Sequence, residues 1–383
     1  MKYIDRRNTN STKWDGQTAT YGEEGLHAMW VADMDFQVPP CVQEALHQYV
    51  DMGAFGYYKV PDTYYQACIN WEADNHDYNI QKDWIRFSPG VVSGFNWIIQ
   101  FMTNPGDAVI VMTPVYYPFL NAVKHNDRKL VTSDLINNQG IYTIDFADFE
   151  QKIIENEVKL FILCSPHNPA GRVWTKEELK NILEICRRHN VFVISDEIHQ
   201  DLTYNIKHVP SLSVGDYDDM MISIMAPSKT FNLAGAQNSQ IIIPNKHLRN
   251  KWDQYTNGIR VISGNAFGYI AAEAAYLGGK EWLEEVKAQI VENYSFLCKE
   301  LKEHLPQVII SPLEGTYLSW VDLSAYVEPG QMKELIQGKC RLAIDYGDWF
   351  GGDRFGGFIR LNLATSLENV KITTDAIIRN LSY

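Results

Sequence analysis

Four short polar segments hold the residue types that could do chemistry. Ser165-Pro-His-Asn-Pro-Ala-Gly-Arg172 offers Asn168, Ser195-Asp-Glu-Ile-His199 offers Asp196 and His199, and Ala226-Pro-Ser-Lys-Thr-Phe-Asn-Leu-Ala-Gly235 offers Ser228 and Lys229. The fourth, Phe87-Ser-Pro-Gly-Val-Val-Ser-Gly94, leads into Phe95, Ile98, Ile99 and Met102 at helical spacing. One ligand chemistry accounts for all four: a phosphate, a basic ring nitrogen, and an aldehyde awaiting an amine. Free backbone N–H groups at a helix start after Gly90 suit the phosphate, with the Ser228 hydroxyl as a further donor. Asp196 would keep the ring nitrogen protonated. Lys229, crowded by that cationic ring and partly desolvated, would have a lowered pKa and serve as the Schiff-base amine. Taken singly, Lys229 reads as a surface lysine, Asp196 as a helix cap and Asn168, before Pro169, as a turn residue; their company is what favours the functional reading.

These segments have to be delivered by strands. Short apolar runs at Ala108 to Met112, Leu160 to Cys164, Val191 to Ser195, Met221 to Met225 and Gln240 to Ile243 alternate with longer amphipathic stretches, the pattern of βαβ units around a parallel sheet. Between the second and third runs, Thr175-Lys-Glu-Glu178 forms a capping box ahead of Leu179, Ile182, Leu183 and Cys186, so Thr175 to Asn190 reads as a crossover helix. In such sheets ligands bind beyond the carboxyl ends of the strands, where three of the four polar segments fall.

From about Gly278 the pattern changes to a long helix, Trp282 to Leu305, followed by strands around Thr316 to Val321 and Phe358 to Leu363. The expected division is an N-terminal arm over 1–45 that joins the small domain, a large domain over 46–277, and a smaller α+β domain over 278–383. The fold class is α/β, with a mostly parallel sheet flanked by helices in the large domain.

The 383 residues are 45% hydrophobic, enough to bury a large core, and disorder is excluded as the main state. With 34 Lys+Arg against 47 Asp+Glu, the net charge of −13 repels nucleic acid and anionic membranes, and no basic patch overrides it. The longest apolar runs fall far short of the roughly 20 residues that span a bilayer, and the polar N-terminus does not read as a secretory signal. The six cysteines are scattered without a CxxC pair, which argues against zinc and disulfides and for a cytoplasmic location with reduced thiols. No Gly-x-Gly-x-x-Gly turn is present, which argues against a plain dinucleotide enzyme.

Pro-His-Asn-Pro-Ala-Gly, Ser-Asp-Glu-Ile-His and Ser-Lys-Thr-Phe-Asn-Leu-Ala-Gly, in this order, resemble the pyridoxal-phosphate enzymes of fold type I, the class I/II aminotransferase family. More narrowly, Met29-Trp-Val-Ala-Asp-Met-Asp-Phe36, Asp196-Glu-Ile-His199 and Ala226-Pro-Ser-Lys229 resemble the MalY/PatB-type carbon–sulfur β-lyases, the cystathionine β-lyase group. The resemblance covers nearly the whole chain. It implies pyridoxal 5'-phosphate as cofactor, Lys229 as its Schiff-base lysine, Asp196 on the pyridine nitrogen, Asn168 on the ring O3′ and Tyr116 stacked on the ring. It also implies Arg360, in Phe358-Ile-Arg-Leu-Asn-Leu363, on the α-carboxylate of a small amino-acid substrate, with the Ala32 backbone lining that pocket. Its planar fork suits a bidentate contact. Tyr57 matches a tyrosine lent to the neighbouring subunit's phosphate, which implies a homodimer with shared sites.

Two positions depart from the aminotransferase pattern. Gln237 stands where many relatives place a phosphate-binding arginine, leaving the phosphate to Ser228, Tyr57 and the amides of Val91 and Val92; His199 stands where many have a tyrosine, altering the O3′ contact. The implied activity is α,β-elimination from a β-thio amino acid such as cystathionine or cysteine, giving a thiol, pyruvate and ammonia. Two alternatives stay open: an aminotransferase using the same Lys229, and a regulatory partner of a transcription factor.

Overall fold

A computed structural model describes residues 1–381. Its central element is a seven-stranded sheet with strands β1 (Ile85–Ser88), β2 (Ala108–Thr113), β3 (Lys129–Asp134), β4 (Leu160–Cys164), β5 (Phe192–Asp196), β6 (Met221–Met225) and β7 (Ser239–Ile242), in the spatial order β1-β7-β6-β5-β4-β2-β3. Five neighbouring strands run parallel, and β7 is antiparallel to both β6 and β1. Strands β2, β4, β5 and β6 are buried along their whole length because helices cover both faces, so each reads as a continuous apolar run.

The apolar runs predict the inner strands to within a residue or two. The one-residue shift of β5, to Phe192–Asp196, matters: Asp196 is the last residue of the strand and not the first of the loop. Two strands, β1 and β3, fall outside the expected set. Both are sheet edges, and β3, Lys-Leu-Val-Thr-Ser-Asp, alternates exposure and burial between charged ends, so it has no continuous apolar run to reveal it. The crossover helix spans Lys176–Arg188. Its Thr175 side chain accepts from the Glu178 N–H and the Glu178 side chain accepts from the Thr175 N–H, as the capping box requires.

Beyond the helix Lys280–His304 lies a four-stranded sheet of β8 (Ile309–Ile310), β9 (Leu318–Asp322), β10 (Asp345–Tyr346) and β11 (Phe358–Asn362), in the order β8-β9-β11-β10 and all antiparallel. The N-terminal residues join this part of the molecule: His27–Ala28 pairs in parallel with Leu342–Ala343, and the Met29 carbonyl accepts from the Asn362 N–H at 2.8 Å. A buried charge cluster fixes the strap from Met29 to Phe36. Asp35, fully buried, receives Lys13 Nζ at 2.6 Å, Trp14 Nε1 at 2.9 Å and Arg6, while Arg6 also grips Asp33.

Candidate active site

Three adjacent parallel strands bring the chemistry together. Cys164, Asp196 and Ile224 lie side by side in register near the carboxyl ends of β4, β5 and β6, and the segments that leave these strands carry Asn168, His199 and, in the one-turn helix Pro227–Thr230, Lys229. They enclose a cavity of about 170 Å³ lined by Lys229, Asp196, Asn168, Tyr116, His199, Ser228, Ala32 and the turn from Pro89 to Ser93, with Gln237 among its walls. All of the expected cofactor contacts except Tyr57 therefore line one cavity.

Burial sets the electrostatics. It lowers the Lys229 amine to about 8, with the nearby Arg360 pushing the same way and Asp33 and Asp196 opposing. Lys229 Nζ donates to the Ala32 carbonyl oxygen, which also accepts from the Tyr317 hydroxyl at 2.8 Å. Burial raises the Asp196 carboxyl to about 7, against the Ile198 N–H bonded to its Oδ1 and the Lys229 charge. His199 is driven well below its ordinary value by burial and by the cations Lys229 and Arg360, so its imidazole is neutral; its Nδ1 has no hydrogen-bond partner among the described residues.

The Lys229 turn is pinned on both flanks. Thr230 Oγ1 donates to the buried Asp201 carboxylate at 2.6 Å, and Asn232 bonds the backbone of Met34 and Phe36, docking the turn onto the N-terminal strap. The helix Val91–Met102 begins at Gly90 with no side-chain cap, so its first N–H groups stay available at the cavity wall. Tyr116 is held by its N–H, which donates to the Asn168 carbonyl at 3.0 Å.

Arg360 stands behind Asn168 and is not part of the cavity wall. It is 2% exposed; its Nη1 donates to Asn168 Oδ1 at 2.9 Å, and its Nη2 donates to the Trp30 carbonyl and to Asp345. With Nη2 engaged twice, the expected two-pronged grip on a carboxylate is not open in this arrangement, and the donors left are Nε and the second hydrogen of Nη1. Tyr57 is fully exposed and touches no part of this cavity within its own chain. The sequence reading gives no role to Tyr317, Asp345 or Trp30, although Trp30 lies inside the Met29–Phe36 motif and Tyr317 in an expected strand. Asp345 shows only as a lone acid at the end of the apolar run Leu342-Ala-Ile344.

The residues fit the cofactor chemistry expected from the sequence: an amine of lowered pKa, a carboxylate beside it, uncapped helix N–H groups with a serine hydroxyl, and an aromatic wall. Fold and site together define an α/β enzyme with a buried lysine of lowered pKa at the carboxyl ends of a mainly parallel sheet. The chain belongs to the aminotransferase class I and II family, whose model matches residues 31–377. It is 39% identical to the cystathionine beta-lyase PatB of Bacillus subtilis over 97% of this chain and 96% of that protein, and 29% identical to the protein MalY of Escherichia coli over 94% and 93%. Among solved structures, cystalysin of Treponema denticola, which contains a pyridoxal 5'-phosphate cofactor, superposes with a TM-score of 0.94 at 35% identity, covering 100% of this chain and 98% of that one. The PLP-bound C-S lyase of Staphylococcus hominis gives 0.94 at 33% identity, covering 100% and 97%.

Proposed function

We propose that the protein is a pyridoxal-phosphate-dependent carbon–sulfur β-lyase that converts β-thio amino acids such as cystathionine, with the consumption of one water, to a thiol, pyruvate and ammonia. The observation that carries the reading is the Lys229 amine, lowered to about 8, in one cavity with the Asp196 carboxylate. The relatives named cystathionine beta-lyase and C-S lyase point the same way.

When bound, the cofactor supplies an electron sink for the substrate's α-carbon. The protein's part is to bind, orient and move protons. Ser228 and the N–H groups of Val91 and Val92 hold the phosphate at the start of a helix, where the partial positive charge favours an anion. Asp196 keeps the ring nitrogen protonated; a cation beside it would draw its carboxyl back below 7. Tyr116 supplies the stacking face and Asn168 a polar contact at the ring edge. Neutral His199 serves as a hydrogen-bonding neighbour without adding charge. Lys229 is the nucleophile and then the base that takes the proton from Cα, since near neutral pH an amine at about 8 is partly unprotonated. Arg360 receives the α-carboxylate beside the Ala32 backbone.

The same proposal takes the protein as a homodimer in the cytoplasm, with Tyr57 reaching the partner's phosphate site. It divides the chain into an arm over 1–45, a large domain over 46–277 and a small domain over 278–383. Among the described residues no helix is long and apolar enough to cross a membrane. The family model, named for aminotransferases, favours one alternative, transamination with the same Lys229. Incubating the purified holoenzyme with cystathionine and no keto acid separates the two: sustained pyruvate release is expected, and a single half-turnover to the amine form of the cofactor would overturn the lyase reading.

A further inference from the structure

Asp345 has no part in the chemistry described so far, yet it is 1% exposed and lies directly opposite Arg360 in the β10–β11 ladder. We propose that Asp345 is a positioning residue that holds the Arg360 guanidinium where the substrate's α-carboxylate meets it. The inference rests on the proposed function, because it assumes that Arg360 receives that carboxylate.

The guanidinium is fixed from several directions. Asp345 Oδ2 and the Trp30 carbonyl take Nη2, Asn168 Oδ1 takes Nη1, and the Phe350 ring lies 5.0 Å from the guanidinium carbon. Of these neighbours only Asp345 carries charge. Without it, the chain would hold a buried cation with no counter-charge until substrate arrived, an arrangement that costs far more than a paired one. The other oxygen of Asp345, Oδ1, has no hydrogen-bond partner among the described residues, so this carboxylate is not spent on closing loops or capping backbone. Burial raises its carboxyl to about 6 while Arg360 pulls it down, which leaves it ionised at neutral pH. Fixing Nη2 sets the plane of the guanidinium and with it the separate directions of Nε–H and the free Nη1 hydrogen, and an arginine oriented in advance gives up less rotamer freedom when it binds.

The test uses the holoenzyme and its cofactor's visible absorbance. Titration with L-alanine, which carries an amine and a carboxylate but no β-leaving group, is compared with ethylamine, the same molecule without the carboxylate. Asp345→Ala should raise the apparent dissociation constant of alanine by about tenfold or more and leave that of ethylamine within about twofold. Asp345→Asn, which keeps an oxygen acceptor for Nη2 at nearly the same volume, should fall between wild type and Asp345→Ala, and it carries the test if Asp345→Ala does not fold. Unchanged alanine binding in the variants, or equal weakening of alanine and ethylamine, would make Asp345 a purely architectural residue and overturn the proposal. Tighter alanine binding would make it a competitor for Arg360 and would overturn it as well. A wild type whose spectrum ignores alanine would instead defeat the lyase reading itself.

Discussion

At Lys229 the decisive quantity is the fraction of amine that is unprotonated. A solvated lysine has a pKa near 10.4, whereas burial brings this one to about 8, so the reactive fraction at pH 7 rises by roughly two orders of magnitude. The sign follows from the nucleophile being the neutral form: in the cofactor-free protein, the rate of pyridoxal-phosphate uptake should climb with pH up to about 8 and level off above it. Stopped-flow absorbance from about pH 6 to about pH 11, a range that brackets both pKa values, checks this, and a rate still climbing beyond about pH 10 would return Lys229 to solvent-like behaviour. Lys229→Ala should neither develop the absorbance nor release pyruvate. That Lys229, Asp196, Asn168 and His199 share one cavity was legible in the sequence because each follows or ends a buried parallel strand, and parallel strands put their carboxyl ends on one side. The sequence did not reveal that Arg360 is already gripped on Nη2, because the pairing of Asp345 with Arg360 is a matter of antiparallel register across the loop 347–357, and no local pattern encodes it.

The element that most needs explanation is the strap from Met29 to Phe36. It has almost no periodic pattern, yet it supplies the Ala32 carbonyl to Lys229 and the Trp30 carbonyl to Arg360, and its Val31 and Asp33 carbonyls accept from Asn362. Its position is enforced by side chains 21 to 29 residues away in sequence, so no local pattern around Met29 shows what holds it. Asp35 is the anchor. Burial alone would raise its carboxyl, but Lys13, Trp14 and Arg6 outweigh burial and hold it below the ordinary value. A depressed carboxyl contributes stability that is fully present above its unfolded pKa, near 3.9, and is lost as pH falls through the folded one. Lys13→Met should therefore cost about 3 kcal/mol or more in urea unfolding of the cofactor-free protein at pH 7, since it strips a partner from a fully buried carboxylate. The difference from wild type should shrink at acid pH. A loss below about 0.5 kcal/mol at pH 7 would mean that Arg6 and Trp14 suffice to hold the strap.

For the whole molecule, the feature a single chain leaves unexplained is a surface of exposed apolar side chains. Met52, Phe55, Tyr57 and Phe267 stand in solvent near one another in sequence or by ring contact, with the Phe55 and Phe267 rings 5.5 Å apart, and Ile262 is likewise exposed. Contiguous apolar patches on a lone chain mark association surfaces. If the partner's Tyr57 completes each phosphate site, two defects carried on separate chains must complement each other. Lys229→Ala has no amine, and Tyr57→Ala should bind the cofactor about tenfold or more weakly, the cost of a hydrogen bond to a charged group. In a hybrid dimer one site collects both defects, while the other has Lys229 from one chain and Tyr57 from the other and is native. After mixing equal amounts, dissociating and reassociating, half of the dimers are hybrids with one good site each, so activity measured at limiting cofactor should recover to about a quarter of wild type. Recovery no greater than the average of the two parent variants would show that each chain builds its site alone.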